Sequence, residues 1–247
     1  MKGPIREIPE EYYMAFTMKE QIPVDDMFMD GRKTEASVPW TDELIESILD
    51  HFTLEKIRAG EQGQECYKGA AGFHVEALEK YGDRVKGKHV AVIGTEVPWI
   101  EAILVNFGCA SVTSVDYNKA VETKYIKTMS YEEFLEQKPK FDAVFSYSSL
   151  EHSGLGRYGD DLNPNGDLET VAQIRESMAE GGLFFLGVPV GQDALMWNAH
   201  RVYGPKRLPL LLKGFRELEW IGFDKADLKD VPLFFYDHQP LIVLERE

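Results

Sequence analysis

The residues that could do chemistry begin with one glycine and two acids. Gly94 ends the apolar, β-branched run Val90 to Ile93, Glu96 stands two residues on, and Asp116 closes a second such run, Ser111-Val-Thr-Ser-Val-Asp116. The 22 residues from Gly94 to Asp116 put an acid at the tip of a second strand, where a carboxylate accepts hydrogen bonds from ribose hydroxyls. Phosphate suits the intervening turn less well. The turn reads Gly94-Thr95-Glu96-Val97, with one glycine where a dinucleotide fingerprint has three, and the Glu96 carboxylate repels a diphosphate. A cofactor with a cation and no diphosphate fits better, and S-adenosylmethionine with its sulfonium is such a group. On this reading Gly94, Thr95 and Glu96 meet the methionine end, Glu96 pairing with the ammonium. Asp116 holds the ribose, with Tyr117 and Asn118 beside it, and the Lys127 to Tyr131 region, including Met129, receives the adenine. The plainer alternative is a strand–turn–helix with no ligand.

A second set of reactive types follows a later strand. Ala143-Val-Phe reads as buried, and it opens through Ser148 and Ser149, both assigned to the cofactor, into a polar loop carrying Glu151 and His152. His152 is the first candidate for a general base, because an unperturbed imidazole titrates near neutrality, and His200 is the second. The loop continues from Ser153 to Gly166, glycine-rich and long enough to suggest function. It supplies Tyr158 as a further catalytic candidate, and Arg157, with Arg201 and Tyr203 downstream, to position an acceptor. Residues Ala194 to Arg216 contain no acid but carry Arg201, Lys206, Arg207, Lys213 and Arg216 in a chain of net charge −15. Such an island is either an anion site or a solvated helix face pairing with acids elsewhere. Trp99 could face the cofactor's cation or pack in the core. No metal is expected, because Cys66, Cys109 and the six histidines show no ligand spacing.

These groups need elements to position them. Pro98 suits the first turn of a helix, Ile100, Ile103, Leu104 and Phe107 recur at helical spacing, and Gly108 suits its end. A short strand over Tyr125 to Thr128 and a short helix over Tyr131 to Leu135 follow. Asp167 reads as the cap of a helix running to about Met178 and ended by Gly181-Gly182, before a buried strand, Leu183 to Val188. Arg216 to Phe223 and Leu241 to Leu244 read as an antiparallel pair. Alternating strands and helices predict an α/β fold, a parallel sheet covered on both faces. Ligands bind such sheets at the carboxyl ends of strands, where Gly94, Asp116, Ser148 to His152 and Pro189 to Gln192 all fall.

Upstream, Thr41 caps a helix with the apolar face Leu44, Ile45, Ile48, Leu49 and Phe52, and a second helix spans Gly72 to Tyr81. Residues 1–38 crowd tyrosines, methionines and phenylalanines around Pro23 and Gly31, as a lid, a docking arm or a packed layer. We divide the chain into an N-terminal arm and helical extension, 1–85, and a core domain, 86–247. At 247 residues a substantial core is expected. The acidic balance disfavours a nucleic-acid partner, since such binding needs lysine and arginine to neutralise phosphates. Two cysteines, no apolar leader and no run able to cross a bilayer give a cytoplasmic reading with a small-molecule partner. Oligomeric state is open.

Phe141-Asp-Ala-Val-Phe-Ser-Tyr-Ser-Ser-Leu-Glu-His152 and Gly181-Gly-Leu-Phe-Phe-Leu186 resemble the fourth-strand and fifth-strand phrases of class I S-adenosylmethionine-dependent methyltransferases. Asp116 and Gly94 match that superfamily's ribose acid and first motif glycine. The resemblance covers about two-thirds of the chain, from Lys86 to Glu247. A closer similarity is to a methyltransferase-like family of unknown function first noted in Caenorhabditis. It rests on Ile93-Gly-Thr-Glu-Val-Pro-Trp-Ile-Glu101, Ser148-Ser-Leu-Glu-His-Ser-Gly-Leu-Gly-Arg-Tyr-Gly-Asp160, Leu186-Gly-Val-Pro-Val-Gly191 and Asn198-Ala-His-Arg-Val-Tyr-Gly204. The resemblance implies a three-layer sandwich, a mostly parallel, seven-stranded Rossmann-like sheet with helices on both faces. It implies methyl transfer from S-adenosylmethionine but supplies no substrate; the polar loop and the basic island suggest a small polar metabolite, a sugar or an anionic compound, methylated at oxygen or nitrogen. Non-catalytic binding is the alternative, and a nicotinamide-dependent oxidoreductase a more distant one.

Overall fold

The computed structural model describes residues 4–32, 39–65, 67–117 and 120–247. In chain order its elements begin with α1 (Glu10–Phe16), β1 (Val24–Met27), α2 (Asp42–His51), α3 (Leu54–Ala59) and α4 (Ala70–Tyr81). The first β-α-β unit follows as β2 (His89–Ile93), α5 (Trp99–Phe107) and β3 (Ser111–Asp116). Then come β4 (Lys127–Ser130), α6 (Tyr131–Gln137), β5 (Phe141–Tyr147), α7 (Gly166–Ser177) and β6 (Met178–Gly187). The chain finishes with β7 (Ala194–Asn198), β8 (His200–Val202), α8 (Leu208–Leu211), β9 (Phe215–Ile221) and β10 (Leu241–Arg246).

Seven strands form one sheet in the order β4-β3-β2-β5-β6-β10-β9. Strands β2, β3, β4, β5 and β6 are mutually parallel, and β10 runs antiparallel to both β6 and β9. This is the expected mostly parallel, doubly covered sheet. Alternation along each strand fills the two faces. Val90, Val92, Phe145 and Phe185 pack with Leu78 of α4 and Ile103 of α5, whereas Ala91, Ile93, Val144 and Phe184 pack with Phe134 of α6 and Ile174 of α7. Some helices start or stop for local reasons. Thr41 Oγ1 accepts the Leu44 amide at 3.2 Å at the head of α2, and Gly108 closes α5 in the left-handed region at φ 92°.

Several boundaries differ from the sequence reading: β4 lies at Lys127–Ser130 instead of Tyr125 to Thr128, and α4 begins at Ala70 instead of Gly72. Helix α7 stops at Ser177, and the chain enters β6 at Met178, so Gly181-Gly182 lies inside a strand. Gly181, at φ 66°, absorbs a register shift against β5, where Phe141 pairs with Met178 but Ala143 with Leu183. Pairing of Met178 with Phe141 overrides its helical propensity.

A second, three-stranded sheet in the order β1-β7-β8 was not expected. It ties the N-terminal arm to the far half of the chain, with Val24 to Met27 parallel to Leu195 to Asn198. Phe16 stacks edge-on against Trp197 at 5.2 Å and, with Ile22, Leu155 and Leu195, forms a separate small core. The arm is thus packed in place by burial of apolar surface. No helix among the described residues is long and apolar enough to cross a membrane.

Candidate active site

The crevice starts where β2, β3 and β5 end side by side. Gly94 sits in the left-handed region at φ 73°, and a Cβ there would collide with the Ser149 hydroxyl. Its amide donates to Val115 O at 2.8 Å, and Ser146 Oγ donates to Ile93 O at 3.0 Å, so the three strand tips are laced together. Glycine is needed here both for its backbone angle and for the close approach of Ser149. Ser148 itself lies at φ 52°, a conformation that costs a non-glycine residue. The cofactor residues expected from sequence therefore come together at Gly94, Thr95, Ser148 and Ser149, with Glu96 exposed just beyond.

Acids crowd this edge. Asp116 ends β3 half-buried, and the fully buried Glu101 reaches back from α5 beneath it. Burial pushes the Glu101 carboxyl up to about 8, the charge of Asp116 adding to the effect, and its Oε1 finds no partner among the described residues. Next to Asp116 the Tyr117 ring lies 4.9 Å from that of Tyr131, which opens α6, and Met129 pairs in register with Val115. Asn118 lies outside the described residues. Trp99 is buried among Phe52, His74 and Tyr147, a core residue.

The other wall comes from the turn after β5, the loop to α7 and the small sheet. Leu150–His152 is a single 3-10 turn. His152 Nδ1 lies 2.6 Å from Ala199 O, so the proton sits on Nδ1, and Nε2 faces Glu151 Oε1 at 3.6 Å. Burial, then the Arg157 charge, pushes His152 down to about 3, and the same two causes push His200 down to about 4. Both imidazoles are neutral near pH 7. Arg157 Nη1 donates to Ala199 O at 3.1 Å, and its guanidinium lies 5.0 Å from the centre of the Tyr158 ring. Five buried atoms on this wall have no partner among the described residues: Glu151 Oε2, Arg157 Nε, Trp197 Nε1, Asn198 Nδ2 and His200 Nε2. Buried polar atoms are rarely left so, which marks a place for a polar ligand. The arm closes the back, with Met29 N donating to Asn198 Oδ1 at 2.8 Å and Gly31 N to Arg157 O at 2.9 Å.

The basic island divides: Lys206, Lys213 and Arg216 are exposed, whereas Arg201 and Arg207 are buried against an acid elsewhere in the chain. Arg207 binds Asp167 through Nε at 2.9 Å and Nη2 at 2.5 Å, Tyr203 donates its hydroxyl to the same carboxylate at 2.9 Å, and Arg201 Nε lies 3.7 Å away. Arg201 Nη1 also donates to Ser153 O at 2.7 Å, and Arg207 Nη2 to Pro164 O at 2.6 Å. Asp167 therefore does not cap α7, whose first turn lacks any side-chain cap. Arg201 and Tyr203 are buried with their polar atoms engaged, bracing the loop from behind instead of facing an acceptor. At the surface, Arg216 pairs with Glu245. Glu101, Glu151 and Asn198 were not singled out from sequence. Glu151 stood beside His152 in the same phrase, but its burial is visible only in the fold.

Comparison with known proteins agrees with this architecture. No curated protein matches the chain. Among solved structures, 1,6-didemethyltoxoflavin-N1-methyltransferase from Burkholderia thailandensis, with bound 1,6-didemethyltoxoflavin and S-adenosylhomocysteine, superposes with a TM-score of 0.50 at 14% identity. The match covers 89% of this chain and 98% of that one, and it shows a shared methyltransferase-like fold. The N-methyltransferase NodS from Bradyrhizobium japonicum, in complex with S-adenosylhomocysteine, is similar at a TM-score of 0.47 and 11% identity, over 83% of this chain and 99% of that one. The family model described as "Caenorhabditis protein of unknown function, DUF268" matches residues 87–232. With well over half its length inside that match, the chain belongs to the DUF268 family.

Proposed function

We propose that the protein is an S-adenosylmethionine-dependent methyltransferase acting on a small, polar, anionic metabolite. The observation that carries this is the acidity of the crevice: Glu96 and Asp116 stand at the tips of β2 and β3 with a single glycine in the turn, and behind them lie Glu151 and Glu101, both raised by burial, Glu101 largely protonated near pH 7. A diphosphate would be repelled there, whereas a sulfonium and an ammonium would be attracted. The donor set fits the cofactor at each end, a carboxylate for the ribose diol at Asp116 and aromatic surface for an adenine at Tyr117 and Tyr131. When bound, S-adenosylmethionine supplies an electrophilic methyl group for direct displacement. The protein's part is to orient the partners and exclude water. Gly94 to Glu96 and Ser148-Ser149 hold the methionine end, and Asp116 fixes the ribose.

Arg157 supports the anionic acceptor. It has no ion pair with a described carboxylate, its Nε is buried without a partner, and it lies beside two neutral imidazoles. A carboxylate or phosphate on the acceptor would supply the missing counter-charge. His200 Nε2 and Asn198 Nδ2 offer a hydrogen bond each, and Tyr158, half-exposed, covers the mouth.

Asp116→Ala tests the cofactor assignment. Losing the charged hydrogen bonds to the ribose, roughly 1.5–3 kcal/mol each, should weaken S-adenosylmethionine at least tenfold by calorimetry with the fold intact. Unchanged affinity would sink the ribose assignment.

A further inference from the structure

Glu151 is a buried titratable group at the junction of the two walls with no step yet assigned to it in the reaction. We propose that Glu151 takes the proton from the methyl acceptor, and that the acceptor atom is a hydroxyl oxygen. This deepens the methyltransferase reading and rests on it.

Its placement is the first argument. Glu151 lies two residues beyond Ser149, the residue packed against Gly94, so it stands where the cofactor wall and the acceptor wall meet. Its side chain is 1% exposed; Oε1 accepts the Ser148 hydroxyl at 3.0 Å, and Oε2 has no partner among the described residues. A buried carboxyl with one oxygen anchored and the other unpartnered is oriented toward something that comes and goes. Tyr158 lies near enough to both Glu151 and Glu96 for each carboxylate to act on its hydroxyl.

The neighbours decide which group is the base. His152, the candidate from sequence, has Nδ1 committed to Ala199 O and is pushed down to about 3, too weak a base for neutral pH. Burial raises Glu151 to about 7, the range in which a general base works best, with Ser148 and Arg157 pulling against that rise. Arg157 is the cation nearest to offsetting its charge, since Arg201 touches only the Glu151 backbone carbonyl, at 3.3 Å, and is committed to Asp167. The phenols that face it, Tyr147, Tyr158 and Tyr203, are all held neutral by burial. A neutral amine attacks through its own lone pair and sheds a proton to water afterwards, whereas a hydroxyl must give up its proton as its bond forms. The proton balance is complete. The acceptor oxygen gains the methyl group as the methyl C–S bond breaks, the thioether departs neutral, and the hydroxyl proton passes to ionised Glu151 Oε2.

The test needs no known acceptor. A sulfonium arriving at the Gly94–Ser149 contact should ionise Glu151, so binding S-adenosylmethionine at pH 7 should release up to about half a proton from a group half-protonated there. S-Adenosylhomocysteine, which lacks the sulfonium charge, should release less. Calorimetric titrations of the full chain in buffers of different ionisation enthalpy read this directly. The difference between the two ligands should vanish in Glu151→Gln, which should still bind both, and persist in Glu101→Gln. Equal release by both ligands in the unsubstituted protein, or a difference that survives in Glu151→Gln, overturns the assignment. If S-adenosylmethionine does not bind at all, the methyltransferase reading itself fails, a separate outcome.

Discussion

Replacing Asp167 by alanine should cost a large fraction of the protein's stability. Asp167 is completely buried and accepts from Arg207 at 2.9 and 2.5 Å and from Tyr203 at 2.9 Å, with Arg201 at 3.7 Å. Truncation leaves two interior guanidiniums without a counter-charge, and breaking a buried pair in this way costs about 3–5 kcal/mol. Total stabilities of domains run about 5–15 kcal/mol, and for a chain of this size each kcal/mol moves the midpoint about 2–4 °C. The expected fall is therefore about 6–20 °C by circular dichroism, with a matching loss in urea. The arginines also hold Ser153 O and Pro164 O, so the loop carrying Arg157 and Tyr158 should lose its shape before the sheet melts. Acid should mimic the substitution. Burial alone would raise Asp167, but Arg201 and Arg207 override it and hold the carboxyl below its ordinary value. A depressed carboxylate contributes stability that is present above the unfolded value, about 3.9, and is lost as pH falls through the folded value. A loss under about 1 kcal/mol in Asp167→Ala would refute the strut and return Arg201 and Arg207 to the role of a ligand site.

Gly94→Ala should destabilise by more than the roughly 1–2 kcal/mol of a left-handed non-glycine residue, because its Cβ also meets Ser149. Adding Ser149→Gly should recover only the steric part in urea unfolding; full recovery would mean the backbone angle is unimportant. Phe16→Ala removes the ring stacked on Trp197 at 5.2 Å. It should cost up to about 3–5 kcal/mol and expose the arm to limited proteolysis between α1 and β1, and a protease-resistant arm would contradict its anchoring through the small core.

Much of the site's frame is legible in the sequence because it is encoded locally. Val90 to Ile93, Pro98, the apolar stripe of α5 and Gly108 each specify their own conformation, and β2, α5 and β3 appear where those residues put them. The second sheet is not legible, because Val24-Asp-Asp-Met27 carries no strand pattern and is a strand only through pairing with residues about 170 positions away. The burial of Arg207, within the basic island, is not legible for the same reason. Its partner, Asp167, lies about 40 positions upstream and looks like a helix cap until the tertiary fold turns it inward. Glu151 and His152 are adjacent in sequence and chemically plausible alike. Which of them holds a usable proton affinity depends on burial and on Arg157, and neither can be read from spacing.

The most direct test of the account is a calorimetric titration of the purified protein with S-adenosylmethionine, and with NAD as the diphosphate-bearing comparison. The acidic, single-glycine crevice predicts saturable binding of S-adenosylmethionine and none of NAD. Binding of NAD with no binding of S-adenosylmethionine would contradict the charge argument on which the proposed function stands.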